Sequence, residues 1–391
     1  MSIEPFIFPE DWGALANGGD DWNALQSAIN AAAPWQEVYF SQKYGCSQPL
    51  TVVGKGIRSS GSATITAVGA AAAVGGSVDC FVFPPQFGNR KLVLPQITGF
   101  TGNSINNSAG VMDIECHHIS NFGTGVLLGG GAIDCKISVH WFTTGTSCLK
   151  VSNATASTPI QGNTVSSLFA TTCKYGLNYD GSPACDSNSL TFAAWDCNLI
   201  PGSAAFYNSS GSPLSNWRLL VTDWCGGFPA SPAQAWVANG AFQFCTFECS
   251  NVATWPDKWS LFNITVGGGN TFKAACATGF AGSFVANWQI QPNNRTGFGV
   301  AGGAVYMNTR LCQGKTANIA AGATMTTYVY SPFTDGNSFS YRITPTVNPG
   351  FVLFALKDNS ATTPNELAVT WLAMKAIPAY SEFDFQFTAG L

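Results

Sequence analysis

The sequence contains few charged residues, and this shortage excludes several classes of protein. Only 10% of its 391 residues are charged, 17 basic and 21 acidic, whereas a typical soluble domain has about 25%. Without a basic cluster, we expect no nucleic-acid partner. No apolar run reaches the ~18–20 residues that cross a bilayer, so we expect no membrane insertion. The N-terminus, Met1 to Pro5, has no basic and apolar regions typical of a secretory signal.

The usual metal-site and nucleotide-site patterns are also missing. None of the thirteen cysteines forms a CxxC pair, and no cysteine–histidine group has zinc-finger spacing. An odd number of cysteines in a large chain favours reduced thiols, which behave as small apolar core residues. There is no P-loop, GxSxG or HExxH motif. We therefore expect neither a metal ion nor another cofactor.

Apolar and aromatic residues are plentiful. Apolar residues make up 46% of the chain, with 28 Phe and 12 Trp, which excludes intrinsic disorder. A chain this apolar and this weakly charged must bury additional surface, and burial between subunits is the simplest way.

Residues 8–40 contain the one convincing amphipathic helix. Its apolar residues recur at helical spacing, and they are Trp22, Leu25, Ala28, Ile29 and Ala32. Asp20 or Asp21 is the expected N-cap, Pro34 ends the helix, and Val38 begins a strand. We interpret the Asp20–Asp21 pair as structural rather than metal-binding, because the helix dipole explains its charge.

The following residues have an all-β pattern of short apolar runs between Gly, Asn, Ser and Thr. Similar runs return every 20–30 residues or so, which indicates a coil of stacked turns. Several cysteines directly follow an acid: Cys80, Cys116, Cys135, Cys197 and Cys249, with Cys225 two positions after Asp223. Because successive strand side chains point to opposite faces, we expect thiols inside and carboxylates outside. Stacking of equivalent positions then predicts an interior cysteine ladder.

The N-terminal segment carries a family resemblance. Its residues are Asp11-Trp12-Gly13-Ala14, Gly19-Asp20-Asp21, Leu25, Ala28-Ile29, Val38-Tyr39-Phe40, Gly45 and Pro49-Leu50. In order and spacing they resemble the cap of pectate-lyase-like right-handed parallel β-helices, the family that includes phage tailspikes and polysaccharide depolymerases. The match covers about 45 residues, and Ser41-Gln42 replaces a frequent Pro-Gly turn. The catalytic motifs of the polygalacturonase branch are not found in order, so that activity is not transferred.

This resemblance implies an all-β chain with three parts. They are an N-terminal cap with its capping helix (1–50), a right-handed parallel β-helix (51–304) and a C-terminal antiparallel β-sandwich (305–391). Strand patterns after residue 304, joined by turns at Asp335-Gly336-Asn337 and Asn348-Pro349-Gly350, indicate the sandwich. It resembles the terminal β-domain of phage spikes, which helps to hold a trimer together.

Three acids are the leading candidates for catalysis, Asp196, Asp223 and Glu248. Each is separated from the next by a stretch of sequence that fits one turn, which would align them on the outer face. Glycoside hydrolysis needs two carboxyl groups, and a neighbouring carboxylate of like charge raises the pKa of one of them. Trp195, Trp224 and Trp255 are the expected substrate-binding residues, because an indole face stacks on sugar rings. The alternative is that these acids only keep an exposed sheet soluble.

A second candidate cluster contains every histidine of the protein: Asp113, Glu115, His117, His118, Asp134, Lys136 and His140. Asp113 and Glu115 share a face if they lie on a strand. A histidine could act as general base, and the acid pair could hold Ca²⁺ for a lyase. Solvated turn residues are the alternative interpretation.

The sequence thus favours a homotrimeric phage tailspike-like receptor-binding protein. It would bind a bacterial surface polysaccharide and cleave it as an endo-glycosidase. Such a protein is made in the host cytoplasm and is part of the virion, attached through a tail protein. The alternatives are a non-catalytic glycan-binding spike, a polysaccharide lyase, an exported bacterial enzyme or a purely structural virion protein.

Overall fold

The computed structural model describes most of the chain up to residue 252 and several segments beyond it. These residues are 5–73, 76–86, 88, 91–152, 154–181, 184–197, 200–208, 210–224, 236–252, 262–266, 271–276, 305–312, 319–330, 340–347, 350–358, 366–378 and 382–390. In this part of the chain, no helix is long and apolar enough to cross a membrane.

The described structure consists almost entirely of strands. The helical segments are α1 (Trp22–Ala31) and two 3-10 helices, Pro9–Trp12 and Gly69–Ala72. The first strands are β1 (Phe6–Ile7), β2 (Glu37–Phe40), β3 (Lys43–Cys46), β4 (Leu50–Thr51), β5 (Gly56–Ser59), β6 (Thr64–Ala67), β7 (Phe81–Phe83), β8 (Lys91–Leu94), β9 (Gln96–Thr98) and β10 (Asn103–Asn107). The next are β11 (Asp113–Leu128), β12 (Lys136–Val151), β13 (Ile160–Gln161), β14 (Thr164–Tyr179), β15 (Cys185–Asp186), β16 (Ser189–Asp196), β17 (Ala204–Asn208), β18 (Leu214–Ser215), β19 (Arg218–Trp224) and β20 (Trp236–Gln243). The last are β21 (Thr246–Val252), β22 (Phe262–Val266), β23 (Thr271–Cys276), β24 (Val305–Cys312), β25 (Thr324–Tyr330), β26 (Ser340–Val347), β27 (Phe351–Asp358), β28 (Glu366–Ala373) and β29 (Glu382–Gly390).

The N-terminal cap forms as the sequence predicts. α1 buries Leu25, Ala28 and Ile29 completely or almost completely. Asp21 is buried, and its carboxylate accepts hydrogen bonds from the Leu15 N–H (2.8 Å) and the Gly45 N–H (3.2 Å). Asp20 Oδ1 accepts from the N–H of Trp22, the first helical residue (3.2 Å). Asp20 therefore caps the helix and Asp21 ties its start to the first turn, so the pair has a structural role, as we expected.

The central part is a parallel β-helix, in agreement with the predicted fold class. Each turn pairs in parallel with the next, along the ladder β8-β11-β12-β14-β16-β19-β21-β23-β24. The turns differ in length: Asp113 pairs with Lys136 and Ser189 pairs with Arg218, and the second of these turns contains more residues than the first. Parallel strands need such long connections, because each strand must return to the same edge.

Each sixteen-residue strand bends twice and so contributes to three faces of the solenoid. In β11, the inside–outside alternation breaks at His117 and His118, and Asn121 then adopts a positive φ of 52°. Thr144 and Thr172 repeat this left-handed conformation one and two turns later. We define the first, second and third faces as residues 113–116, 118–120 and 124–128 of β11, together with their register partners on the other turns.

The interior confirms part of the cysteine prediction and corrects the rest. The nine cysteines whose side chains the structure describes are all buried and free, and the acids before Cys80, Cys116, Cys135 and Cys197 are less buried than the thiols that follow them. The cysteines do not form one continuous ladder, because Cys116 pairs with Leu94 and Val139, and Cys249 pairs with Val221. Part of a ladder is present, since the Cys173 N–H donates to Cys197 Sγ (3.2 Å) one turn away. A strand that lines three faces has several inward positions, so the same acid–cysteine pattern recurs in different columns. Cys225 lies outside the described residues.

Antiparallel strands follow the solenoid, as the sequence predicts. β24 pairs in parallel with β23 and antiparallel with β29, which also pairs with β26. β28 lies between β25 and β27 in a second antiparallel sheet. The domain boundaries at residues 50 and 304 remain predictions.

Candidate functional site

The register of the turns shows where the three predicted catalytic acids lie. Asp223 pairs with Ala194 on the second face, two residues before Asp196. Glu248 pairs with Leu220 on the first face. The three acids therefore do not form one aligned column, and the predicted alignment is wrong. The misalignment results from the length of the turns. The turn from Ala194 to Asp223 contains more residues than separate Asp196 from Asp223, and the turn from Leu220 to Glu248 contains more residues than separate Asp223 from Glu248.

Asp196 and Asp223 nevertheless lie on adjacent turns of the same face. Both are partly exposed, and Asp196 has the same orientation as Ala194, since they are two residues apart. One strand spacing combined with two residues along a strand gives a separation of about 8 Å between their Cα atoms. This pair is what remains of the predicted trio.

In the described part of the chain, the predicted substrate-binding tryptophans do not form an exposed surface on which a sugar could stack. Trp195 is fully buried and packs on Phe192, with ring centroids 5.2 Å apart. The assignment of Trp195 as a sugar platform is wrong, because the inside–outside alternation places it in the core next to the outward-facing Asp196. Trp224 pairs with Trp195 in the register, and Trp255 lies outside the described residues.

The structure brings the histidines together around an exposed tryptophan instead. Trp141 is 49% exposed. Its ring lies 6.2 Å from that of His117, at an interplanar angle of 30°, and 6.1 Å from that of His118. The His117 and His140 rings are 5.3 Å apart. We call Glu115, His117, His118, His140 and Trp141 the histidine–tryptophan patch.

The turn length explains this assembly. The turn from β11 to β12 has the length that pairs His118 with Trp141 in the register, and His117 lies beside His140. The sequence contained this signal, because His117-His118 and His140-Trp141 are two adjacent pairs separated by one turn. The histidines are therefore strand residues on the outer surface, rather than turn residues.

Glu115 and Lys91 set the charge at one side of the patch. Lys91 Nζ lies 2.8 Å from Glu115 Oε2, and His140 Nε2 lies 3.9 Å from Glu115 Oε1. The hydrogen bond from Lys91 lowers the pKa of Glu115, so this carboxylate stays ionised. Burial, and then the neighbouring His117, lower the pKa of His118, whose Nε2 lies 2.8 Å from Thr143 Oγ1.

Other members of the second cluster lie outside the patch. Asp113 and Glu115 do share the first face, and Asp113 pairs with Lys136 in the register. Asp134 is exposed in a turn with a φ of 53°. Among the described residues, no group of three or more His, Cys, Asp or Glu side chains could hold a metal ion, and one oxygen of Glu115 already accepts from Lys91. The Ca²⁺ interpretation therefore gains no support from the geometry.

Comparison with known proteins shows similarity at the level of structure only. No protein-family model matches the chain, and no curated protein matches it in sequence. Solved structures similar to it include phage tailspikes and glycoside hydrolases. The phiAB6 tailspike, solved with oligosaccharides of the Acinetobacter baumannii surface polysaccharide, has a TM-score of 0.41 and 10% identity over 98% of this chain and 86% of its own.

Two further similar structures are a glycoside hydrolase and a second phage tailspike. The catalytic unit of the GH87 α-1,3-glucanase from Streptomyces thermodiastaticus has a TM-score of 0.39 and 14% identity, covering 72% of this chain and 65% of its own. The chain thus spans about two thirds of that glucanase unit. The tailspike of the Escherichia coli bacteriophage HK620, solved with a pentasaccharide, has a TM-score of 0.24 and 9% identity over 99% of this chain and 93% of its own.

Proposed function

We propose that this protein binds a bacterial surface polysaccharide on the outside of its solenoid, with Trp141 as the main contact. The half-exposed ring of Trp141 between two histidines is the observation that carries this proposal. A sugar ring has an apolar face and a rim of hydroxyl groups. An indole face matches the first, and imidazole nitrogens and the Glu115 carboxylate match the second.

The protein acts as a homotrimeric spike of a phage virion, joined to the tail by another protein. The cap motif, which resembles that of tailspikes, supports this proposal, together with the low charge and high aromatic content. Its assembly in the host cytoplasm belongs to the same proposal.

The spike also cleaves its polysaccharide, with Asp196 and Asp223 as the two carboxyl groups. Their Cα atoms lie about 8 Å apart by strand geometry, and carboxyl groups ~6.5–9.5 Å apart leave room for the water that an inverting glycosidase activates. One acid protonates the leaving oxygen while the other acts as base. Glycan binding without cleavage is the second candidate function, since the histidine–tryptophan patch needs no acid pair.

Binding is tested with purified surface polysaccharides from a panel of bacterial hosts. We expect the wild type to bind at least one of them, and Trp141→Ala to weaken this binding by about five- to thirtyfold, as expected for loss of a stacking contact worth roughly 1–2 kcal/mol. Trp35→Ala is the matched control, because Trp35 is 52% exposed but lies outside the solenoid faces that carry the patch. Equal binding by wild type and Trp141→Ala would contradict the proposed site.

Cleavage is tested by measuring new reducing ends in the same polysaccharides. We expect Asp196→Asn and Asp223→Asn each to lower the rate by a factor of at least about 100, with binding retained. Glu248→Gln should keep most of the activity, because Glu248 lies on the first face. A rise in ultraviolet absorbance from unsaturated sugars would indicate a lyase instead. Binding of the polysaccharide without any new reducing ends would indicate a non-catalytic spike.

A further inference from the structure

A second surface feature lies where each turn enters the first face. The residue two positions before the first face has a positive φ on six successive turns: Val111, Asp134, Gly162, Ser187, Asn216 and Phe244. From Gly162 onwards, this row borders an open groove of about 350 Å³, whose lining includes Ser187, Asn216, Arg218 and Phe244. We call it the Arg218 groove.

Arg218 supplies a positive charge to this groove. Its side chain is exposed, and its register neighbours on the first face are the neutral Ser189 and Thr246. In the described part of the chain, no carboxylate lies within ion-pair distance of Arg218, whereas Arg58 contacts Glu37 (2.7 Å) and Lys91 contacts Glu115 (2.8 Å). No described carboxylate therefore competes with an external anion for the Arg218 guanidinium.

Phe244 supplies an apolar surface next to this charge. It is 44% exposed and has a φ of 52°, a strained conformation that is rare for bulky residues. Such strain persists only where the surrounding structure imposes it. The aromatic ring, the arginine and the polar Ser187 and Asn216 thus line one groove.

The two ends of the groove differ in charge. The Asp134 carboxylate lies beside Gly162, so close that a Cβ atom on this glycine would be 2.1 Å from Asp134 Oδ1. Asp134 is three turns from the turn of Arg218, which is about 14 Å along the solenoid. An anionic ligand would therefore occupy the Arg218 end and avoid the Asp134 end.

We infer that the Arg218 groove binds a negatively charged sugar residue, so that the polysaccharide recognised by this protein is anionic. A guanidinium donates two parallel hydrogen bonds to a carboxylate or phosphate oxygen pair. The Phe244 ring packs on the apolar face of the sugar, and Ser187 and Asn216 reach its hydroxyl groups. This inference rests on the proposed glycan-binding function and names its substrate class.

The test uses the full-length protein on an array of defined glycans. The array holds hexuronate oligosaccharides, the same oligosaccharides with their carboxyl groups reduced to alcohols, phosphodiester-linked oligosaccharides and neutral glucans. We expect binding to hexuronates or to phosphodiesters, which separates the two possible anions. Carboxyl reduction and the Arg218→Gln substitution should each weaken hexuronate binding at least about tenfold, as expected for loss of a charge-assisted hydrogen bond.

Two variants control for folding and for charge. Arg218→Lys keeps the charge but loses the planar pair of donors, and should fall between wild type and Arg218→Gln. Arg58→Gln removes an arginine that already has a carboxylate partner, and should bind as the wild type does. If the wild type binds only neutral glycans, or binds anionic ones regardless of Arg218, this inference is overturned while the proposed function stands. If it binds no glycan at all, both fail.

Discussion

The charge of a single carboxylate, Glu115, affects the stability of the histidine–tryptophan patch. Its hydrogen bond from Lys91 stabilises the ionised form, which lowers the pKa of Glu115 in the folded chain. Stability from this pair is therefore present above the unfolded pKa and is lost as the pH falls through the lower, folded value. Both side chains are substantially exposed, so water and salt screen the pair and its contribution to stability is small.

Removal of the lysine tests this assignment. We expect Lys91→Ala to raise the pKa of Glu115 towards its ordinary value, as followed by carboxyl-carbon NMR across a pH titration. Lys136→Ala is the control, because no described ion pair joins Lys136 to Glu115. An unchanged pKa in Lys91→Ala would mean that the two side chains do not pair in solution.

The buried thiols permit a second prediction for single residues. Burial raises the pKa values of Cys46, Cys116 and Cys245 to about 12, so the reactive thiolate is scarce at pH 8. We expect these three residues to resist iodoacetamide in the native protein and to react fully in guanidinium chloride, with peptide mass spectrometry as the measurement. Stoichiometric labelling of any of them without denaturant would show that it is not in the core.

Residue types predicted the environment of side chains better than their roles. Alternation correctly placed the thiols inside and the acids outside, because it depends only on neighbouring residues of one strand. The same rule should have excluded Trp195 as a sugar platform, since it directly precedes the outward Asp196. Trp141 was harder to select, because its exposure results from its position beside a bend in a three-faced turn.

At the scale of strands, interior asparagines connect consecutive turns. Asn163 and Asn188 precede β14 and β16 and are almost fully buried. The Asn163 side chain accepts from the Cys135 N–H (2.9 Å) and donates to the Ala132 carbonyl (2.8 Å) and to Asn188 Oδ1 (2.8 Å). The first of these bonds satisfies the Cys135 N–H, which would otherwise be buried and unpaired, whereas the Ala132 carbonyl also accepts from the Gln161 N–H (3.2 Å).

The loss of one of these amides should destabilise the solenoid. We expect Asn163→Ala to lower the free energy of unfolding by about 1–3 kcal/mol, because the buried Cys135 N–H loses its acceptor and the Ala132 carbonyl loses one of its two donors. Thr164→Ala is the control, because Thr164 is exposed and directly follows Asn163 as the first residue of β14. It should change the free energy of unfolding by less than about 0.5 kcal/mol. Guanidinium titration of both variants gives the comparison, and equal midpoints would contradict the role of Asn163.

Register was the part of the fold that the sequence could not supply. An approximate period was enough to predict stacked turns, but a residue moves to another column or face whenever a turn gains or loses residues. The first residues of the first face, Asp113, Lys136, Thr164, Ser189 and Arg218, follow one another at unequal intervals. This inequality separates Glu248 from the two aspartates. It also brings His118 beside Trp141. If that turn contained as many residues as separate Asp196 from Asp223, the two side chains would not be register partners.

The composition of the whole molecule leads to the last prediction, its oligomeric state. With 10% charged and 46% apolar residues, the chain has less charge than a monomer of this size ordinarily exposes, and obligate interfaces are the surfaces that tolerate such a composition. Large apolar side chains do remain exposed on the single chain, among them Leu168 (56%) and Phe354 (63%). Such a surface favours association, and the resemblance to phage spikes implies a trimer, so we expect light scattering to give about three times the 41.1 kDa of one chain, unchanged on tenfold dilution. Leu168→Glu and Phe354→Glu test whether these side chains lie in the interface, since a buried, unpaired carboxylate would dissociate it. A mass of one chain for the wild type would contradict the trimer, and would leave the proposed glycan site on each solenoid to act alone.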